Sequence, residues 1–179
     1  MDTDLSAIVD ELFLASLAEG KEVRLRVDGT SMLPSLKPGD VVVLKLVEPE
    51  QLQKGDLVVV RREHDLVTHR LIGQQAGQWL IKGDNCRYPD PPAAEMMILG
   101  KVIAIERSAE KFNLQEPYWQ TVNRWLARLG WLEALVFRIG GQLRGSPPNR
   151  DLGSRSEKGS LAGRVISLPF RLAIRLLVR

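Results

Sequence analysis

Hydrophobic positions near the start of the chain recur at the spacing of an amphipathic helix. Over residues 4–19 the apolar side chains lie three or four positions apart, Asp4 is placed to cap the first turn, and Gly20 follows as a stop signal. From residue 21 onward, apolar and charged side chains alternate. The pattern therefore predicts an N-terminal helix followed by a half-buried strand.

Five more short strands are predicted beyond this one, each bounded by Gly, Pro or Asp. No helical pattern separates them, which indicates an antiparallel, partly closed sheet instead of a parallel one. The predicted fold class is mainly β with flanking helices. The five strands are expected over residues 41–46, 57–61, 66–72, 78–82 and 99–106.

After about residue 111 the apolar positions return to helical spacing. Amphipathic helices are predicted over 118–129 and, after Gly130, over 131–143. The remainder combines a Gly-, Ser- and Pro-rich linker with a terminal segment in which arginines share one helical face. The predicted organisation is an N-terminal helix (1–20), a β catalytic domain (21–110), amphipathic helices (111–143), and a flexible linker with a basic C-terminal helix (144–179).

Charge is distributed unevenly between the two parts of the chain. Residues 1–110 contain 13 Lys and Arg against 18 Asp and Glu, whereas residues 111–179 contain 12 against 4, a net of +8. A basic amphipathic segment favours peripheral contact with an anionic membrane through the C-terminal helices, and nucleic acid is not expected as a partner. The alternative is that these arginines are simply solvated.

The numbers of cysteines and histidines and the lengths of the apolar runs exclude several classes of protein. One cysteine and two histidines offer no disulfide framework and no metal-ligand spacing, so neither a metal nor a cofactor is expected. No apolar run is long enough for a transmembrane helix, and the acidic N-terminus does not have the pattern of a signal peptide. The expected location is cytoplasmic or membrane-peripheral.

Three segments carry candidate chemistry. Ser31 lies in a Ser-Met-Leu-Pro turn just before a strand, a position in which a hydroxyl can be held rigidly as a nucleophile. His69 lies inside a predicted strand, where a partly buried imidazole could act as general base. Asp84 and Asp90 lie on one loop, and either carboxylate could orient the histidine ring.

In order and spacing, these blocks resemble the superfamily of type I signal peptidases and self-cleaving, LexA-like SOS repressors. The resemblance covers roughly residues 23–107. It is carried by Gly29–Val43, by the Lys-Gly-Asp turn at 54–56, by Thr68-His69-Arg70-Leu71-Ile72-Gly73, by Lys82–Asp90 and by Leu99-Gly100-Lys101-Val102.

The resemblance implies a signal-peptidase/LexA-like β core and a division of roles among the site residues. The usual bacterial enzymes have a lysine where this chain has His69, so the chain is similar to the histidine branch, typified by endoplasmic-reticulum and archaeal signal peptidases. By carry-over, Ser31 is the nucleophile, His69 the base, and Asp84 and Asp90 the supporting acids. The Ser31 backbone amide is expected to contribute to the oxyanion hole.

The resulting expectation is a serine endopeptidase that cleaves leader- or signal-type peptides, with a rate that falls below about pH 6–6.5 as His69 protonates. Two other functions remain open: a self-cleaving regulator, and an inactive membrane-peripheral binding module. Ala-Gly pairs, the common cleavage site of the repressors, occur at 76–77 and 162–163. Within the site, Lys45, Lys54 and Lys82 are alternative bases, and Cys86 is interpreted as an incidental loop thiol.

Overall fold

Seven β-strands lie between a short helix and a long one. The computed structural model describes residues 12–62, 65–90 and 98–143. In chain order the elements are α1 (described over 12–18), β1 (Val23–Arg26), β2 (Val41–Lys45), a 3-10 turn (Pro49–Gln51), β3 (Leu57–Arg62), β4 (Asp65–Gln75), β5 (Gln78–Lys82), β6 (Ile98–Arg107), β7 (Glu110–Asn113) and α2 (Pro117–Leu143).

The strands form one antiparallel sheet in the order β1-β2-β6-β3-β4-β5, and β7 pairs with β6. This confirms the mainly β fold class with flanking helices. Over the described residues the sheet is not closed, since β1 and β5 form its two ends. The partial closure expected from the strand pattern is therefore realised as an open sheet.

β3 lies near the middle of the sheet and is buried on both faces. Leu57 and Val59 pack into a core cluster with side chains of β1, β2 and β6, whereas Val58 and Val60 pack into a second cluster with β4 and β5. Successive side chains of a strand point to opposite faces, so a strand buried on both sides has a continuous apolar run instead of an alternating one. The Leu-Val-Val-Val sequence of β3 has that form.

The long helix α2 differs from the two helices predicted over 118–129 and 131–143. It runs without interruption through Gly130 and packs against β4. A Cβ atom at Gly130 would lie 3.2 Å from Cγ2 of Ile72, so the residue permits a close approach between helix and strand. The packing of the helix on the sheet outweighs the low helix propensity of glycine, which the sequence pattern had suggested as a break.

β7 was not predicted because its turn lacks the usual sequence signal. Ser108 and Ala109 connect β6 to β7 with φ values of 48° and 69°. Two-residue hairpin turns with positive φ most often contain Asn-Gly or Asp-Gly. The other strand predictions are confirmed to within a few residues, and α1 ends at residue 18, two residues before Gly20, where φ is 75°.

Several sequence-based expectations concern residues outside the described ranges, namely the Asp4 cap, the linker and the basic C-terminal helix. Among the described helices, none combines the length and apolar character that crossing a bilayer would demand.

Candidate active site

The loop that carries Ser31 is anchored in the hydrophobic core. Met32 and Leu36 are buried in the main apolar cluster, while Ser31 itself is half-buried. Asn85 donates its backbone N–H to the Ser31 carbonyl at 2.7 Å and its side-chain amide to the Thr30 carbonyl at 3.1 Å. These contacts hold the serine loop directly against the loop that follows β5.

His69 lies on β4 opposite Val58 and is 3 % exposed. Its Nδ1 lies 2.6 Å from Oδ2 of Asp90, and the second Asp90 oxygen pairs with Arg62 Nη2 at 2.5 Å. The backbone N–H of Asp90 donates to the Ile81 carbonyl at 2.7 Å, which fixes the carboxylate beside β5. Asp90 is therefore the acid that orients the histidine ring.

Three influences set the charge of His69. Burial alone lowers the pKa of His69, because a charged imidazole loses water. The hydrogen bond and negative charge of Asp90, together with the neighbouring Cys86 thiol, outweigh burial and raise the pKa of His69 to about 9. The expected fall in activity near pH 6–6.5 assumed an ordinary histidine; with Asp90 in place, the imidazole loses its proton near pH 9 instead.

The other ring nitrogen of His69 faces a narrow gap at Gly83. A Cβ atom on Gly83 would lie 2.7 Å from the Ser31 carbonyl oxygen, 2.7 Å from Cys86 Sγ and 2.9 Å from His69 Nε2. Nε2 is buried and has no hydrogen-bond partner among the described residues. The serine loop, the imidazole and the thiol thus lie close together around Gly83, which has no side chain.

Asp84 has a different environment from Asp90. Arg70 donates Nε and Nη2 to the two Asp84 oxygens, each at 2.8 Å, and the Ser35 hydroxyl donates to Oδ2 at 2.5 Å. Burial would raise the pKa of Asp84, but the charge and hydrogen bonds of Arg70 hold it below its usual range. Asp84 therefore fixes the loop to Arg70 and does not touch the histidine.

Arg70 and Lys82 also connect the site to α2. Arg70 Nη1 donates to the Asn123 side-chain oxygen at 2.8 Å, and Lys82 Nζ lies 2.7 Å from Glu133 Oε2. All four side chains are buried. Because unpaired buried charges are costly, these contacts fix the helix in register against the two site strands.

The alternative lysine bases are placed elsewhere. Lys82 forms an ion pair with Glu133, and Lys45 is exposed at the end of β2. Lys54 lies over the Trp131 ring, 5.8 Å from its centroid, and burial with the nearby Arg128 charge lowers its pKa. No lysine among these three is described in contact with Ser31.

Of the sequence-predicted site residues, His69 contacts Asp90, Asp84 contacts Arg70, and the Ser31 backbone carbonyl lies at the same gap beside Gly83 as His69 Nε2. Sequence reasoning missed the roles of Arg62 and Arg70, which pair with the two carboxylates. Arg70 could have been found, because a strand arginine directly after a core-facing histidine points to the opposite face and requires a buried partner. In the described ranges, no group of three or more His, Cys, Asp or Glu side chains is placed to hold a metal ion.

Comparison with known proteins gives one family. No curated protein sequence matches the chain at a significant level. The sequence profile described as Peptidase S24-like matches residues 7–103, which include Ser31, His69 and Asp90. Since this match covers more than half of the 179 residues, the chain belongs to the Peptidase S24-like family.

Proposed function

We propose that the chain is a serine endopeptidase of the signal-peptidase type that cleaves leader- or signal-type peptides. Ser31 is the nucleophile, His69 the general base and Asp90 the acid that orients the base. The family match supports a serine peptidase or a LexA-like self-cleaving regulator in general terms. The observation that carries the finer proposal is the buried His69 ring, held by Asp90 at Nδ1 and unpartnered at Nε2 beside the Ser31 loop.

The roles follow from the chemistry of the groups. A serine hydroxyl attacks a peptide carbonyl only if a base takes its proton, and Nε2 is the one basic atom of His69 that Asp90 leaves open. The Asp90 carboxylate stabilises the imidazolium that forms and keeps the ring in the productive tautomer. The Ser31 backbone N–H donates to the developing oxyanion, an interaction typically worth about 3–4 kcal/mol.

In this proposal Asp84 supports the site through Arg70. The Asp84–Arg70 pair fixes the turn that contains Gly83, and that turn separates the serine loop from the histidine. A histidine base also assigns the chain to the histidine branch of the superfamily. No lysine described near the site favours the alternative dyad.

Two substitutions test the proposal. Ser31→Ala and His69→Ala are each expected to abolish cleavage of a leader-type peptide, while circular dichroism shows an unchanged fold. Ser108→Ala, on the exposed β6–β7 turn, is the matched serine control and should cleave normally. Full activity in both Ser31→Ala and His69→Ala would refute the mechanism.

A self-cleaving regulator is the second candidate, because the same family supports it and an Ala-Gly pair is accessible. Ala76 and Gly77 form the exposed tip of the β4–β5 hairpin. Incubation of purified wild-type protein, with Ser31→Ala as control, distinguishes the two functions. A discrete product cut between these residues, without cleavage of added peptide, favours the regulator.

We also propose that the C-terminal part of the chain contacts anionic membranes. Four exposed side chains lie at intervals of seven, seven and four residues, on one face of α2: Tyr118, Trp125, Leu132 and Val136. The net charge of +8 over residues 111–179 complements acidic headgroups, where each basic residue contributes about 1 kcal/mol.

Vesicle sedimentation tests this contact. Wild-type protein is expected to bind vesicles that contain phosphatidylserine and to bind more weakly after Trp125→Ser with Leu132→Ser. Equal sedimentation with neutral and anionic vesicles, or no binding to either, would contradict the proposal. The peptidase assay in solution is independent of this result.

A further inference from the structure

Cys86 is the single cysteine of the chain, and it closes the turn beside the proposed active site. Its backbone N–H donates to the Gly83 carbonyl at 2.9 Å, and its side chain is half-buried. This turn brings the thiol back toward β4. The cysteine is therefore held at a fixed position and is not on a free loop.

The thiol lies against the atom of His69 that has no partner. Sγ of Cys86 and Nε2 of His69 lie 2.7 Å and 2.9 Å from the same point, the position that a Cβ on Gly83 would occupy. The His69 side chain is 4 % exposed, so water has little access to Nε2. The same thiol contributes to the raised pKa of His69.

The arrangement gives Cys86 the surroundings of a reactive cysteine. A protonated imidazole beside a thiol stabilises the thiolate by its charge, and the thiolate is the form that nucleophilic reactions and oxidation require. Structural cysteines are instead buried among apolar side chains. Cys86 is half-buried beside the buried His69 ring, so oxidants can reach it.

We propose that Cys86 is an oxidation site, and that a peroxide switches the peptidase off by converting this thiol to a sulfenic acid beside His69. In the step, the Cys86 sulfur attacks one peroxide oxygen, the O–O bond breaks, and the second oxygen leaves with the thiol proton as water. The sulfur is oxidised and the peroxide reduced. The inference rests on the proposed function, since the switch acts on the base that Ser31 needs.

The expected inhibition follows from competition for Nε2. A sulfenic oxygen adds a hydrogen-bonding atom to Sγ in the gap at Gly83, where both Ser31 and Nε2 must meet during catalysis. The imidazole then pairs with the oxidised cysteine and is not available to the serine. The chain has no second cysteine, so an added small thiol must restore Cys86, through a mixed disulfide that a second thiol then reduces.

The first experiment locates the modification without relying on peptidase activity. Wild type, Ser31→Ala and His69→Ala are treated with hydrogen peroxide, and sulfenic acid is trapped with dimedone and mapped by mass spectrometry. We expect the Cys86 adduct in wild type and Ser31→Ala, forming about tenfold more slowly in His69→Ala, because the cationic ring that stabilises the thiolate is lost. No adduct at Cys86, or equal rates in all three proteins, overturns the proposal.

The second experiment measures the switch. Peptide cleavage by wild type should fall at least about tenfold on stoichiometric oxidation and recover with dithiothreitol, while Cys86→Ala keeps its own untreated rate after peroxide. Thiol-reversible loss also excludes oxidation of Met32, since methionine sulfoxide is not reduced under these conditions. Equal loss of activity in Cys86→Ala, or an adduct that leaves wild-type activity unchanged, overturns the switch.

These experiments separate the inference from the proposed function. If Ser31→Ala is active and Cys86→Ala is inactive, Cys86 is itself the nucleophile, and both proposals are wrong. If no variant cleaves any peptide but Cys86 is trapped in a His69-dependent way, the serine peptidase and the switch both fail, while the oxidation site stands. If Ser31 is required but Cys86 is never oxidised, only the inference fails.

Discussion

Replacing Asp90 with asparagine tests the central electrostatic claim most directly. The substitution keeps the shape of the side chain and removes the charge 2.6 Å from Nδ1 of His69. Burial, which opposes the charged imidazole, remains in place. The pKa of His69 is therefore expected to fall well below 9, although the Cys86 thiol still acts to raise it.

The magnitude follows from linkage. The native pKa of His69 is raised from 6.5 to about 9, and each pKa unit corresponds to about 1.4 kcal/mol, so Asp90 and Cys86 together stabilise the protonated ring by roughly 3 kcal/mol. Because the native value is the higher one, this contribution is fully present below pH 6.5 and is lost as the pH rises through 9. Asp90→Asn should lose the larger part of this contribution and of its pH dependence, since Asp90 is the stronger of the two partners.

Two measurements check this prediction. The chain has only two histidines, so NMR titration in a His64→Gln background follows His69 alone. Urea unfolding of wild type and Asp90→Asn at pH 6 and pH 9.5 should give a difference of up to about 3 kcal/mol at the lower pH and a much smaller one at the higher. Asp56→Asn is the matched control, since Asp56 is ion-paired to Lys101 away from the site.

Activity gives the third comparison. In wild type the cleavage rate should rise with pH up to about 9, as His69 becomes neutral. In Asp90→Asn the rate should be lower by about 10²–10⁴, because the ring loses its orienting acceptor. A His69 pKa that is the same in Asp90→Asn as in wild type would refute the reasoning, whatever happens to the rate.

Two further predictions concern Gly83, in the turn between the Ser31 loop and His69, and Arg70 on β4. Gly83→Ala should reduce cleavage strongly, since the added methyl group would collide with the Ser31 carbonyl and with His69 Nε2. A kinetic assay together with an unfolding curve checks whether activity falls more than stability does. Arg70→Lys keeps the charge but loses the two hydrogen bonds that Arg70 donates to Asp84. We expect the free energy of unfolding, measured in urea, to fall by about 2–4 kcal/mol. An unchanged urea midpoint would show that the Arg70–Asp84 contacts are dispensable.

The sequence was sufficient for most of the sheet, because alternation and a both-faced apolar run identify strands independently of their partners. It was not sufficient for α2. A glycine in the middle of an apolar helical pattern has the same appearance whether it ends a helix or lets the helix approach a strand, and only the position of Ile72 distinguishes the two. The β6–β7 hairpin was missed for a related reason, since Ser108 and Ala109 accept positive φ without the usual glycine.

At the site, the sequence identified the segments that carry Ser31, His69 and the two acids, but it could not assign a partner to each acid. Asp84 and Asp90 are six residues apart on one loop, and their separate partners depend on which strand face each approaches. Arg70 and His69 point to opposite faces of β4, so one carboxylate meets each of them. The proximity of Cys86 to His69 was equally unpredictable, because it depends on the turn closed by the Gly83 carbonyl.

The two buried polar contacts of α2 determine how short a working fragment can be. The family match ends at residue 103, yet Asn123 and Glu133 supply the partners of Arg70 and Lys82. A fragment cut at the end of the match would remove Glu133 from its buried ion pair with Lys82, a loss of about 3–5 kcal/mol, and would remove the Asn123 acceptor from Arg70, which keeps Asp84. Anyone who transplants this catalytic unit into another scaffold must therefore carry the chain through Glu133.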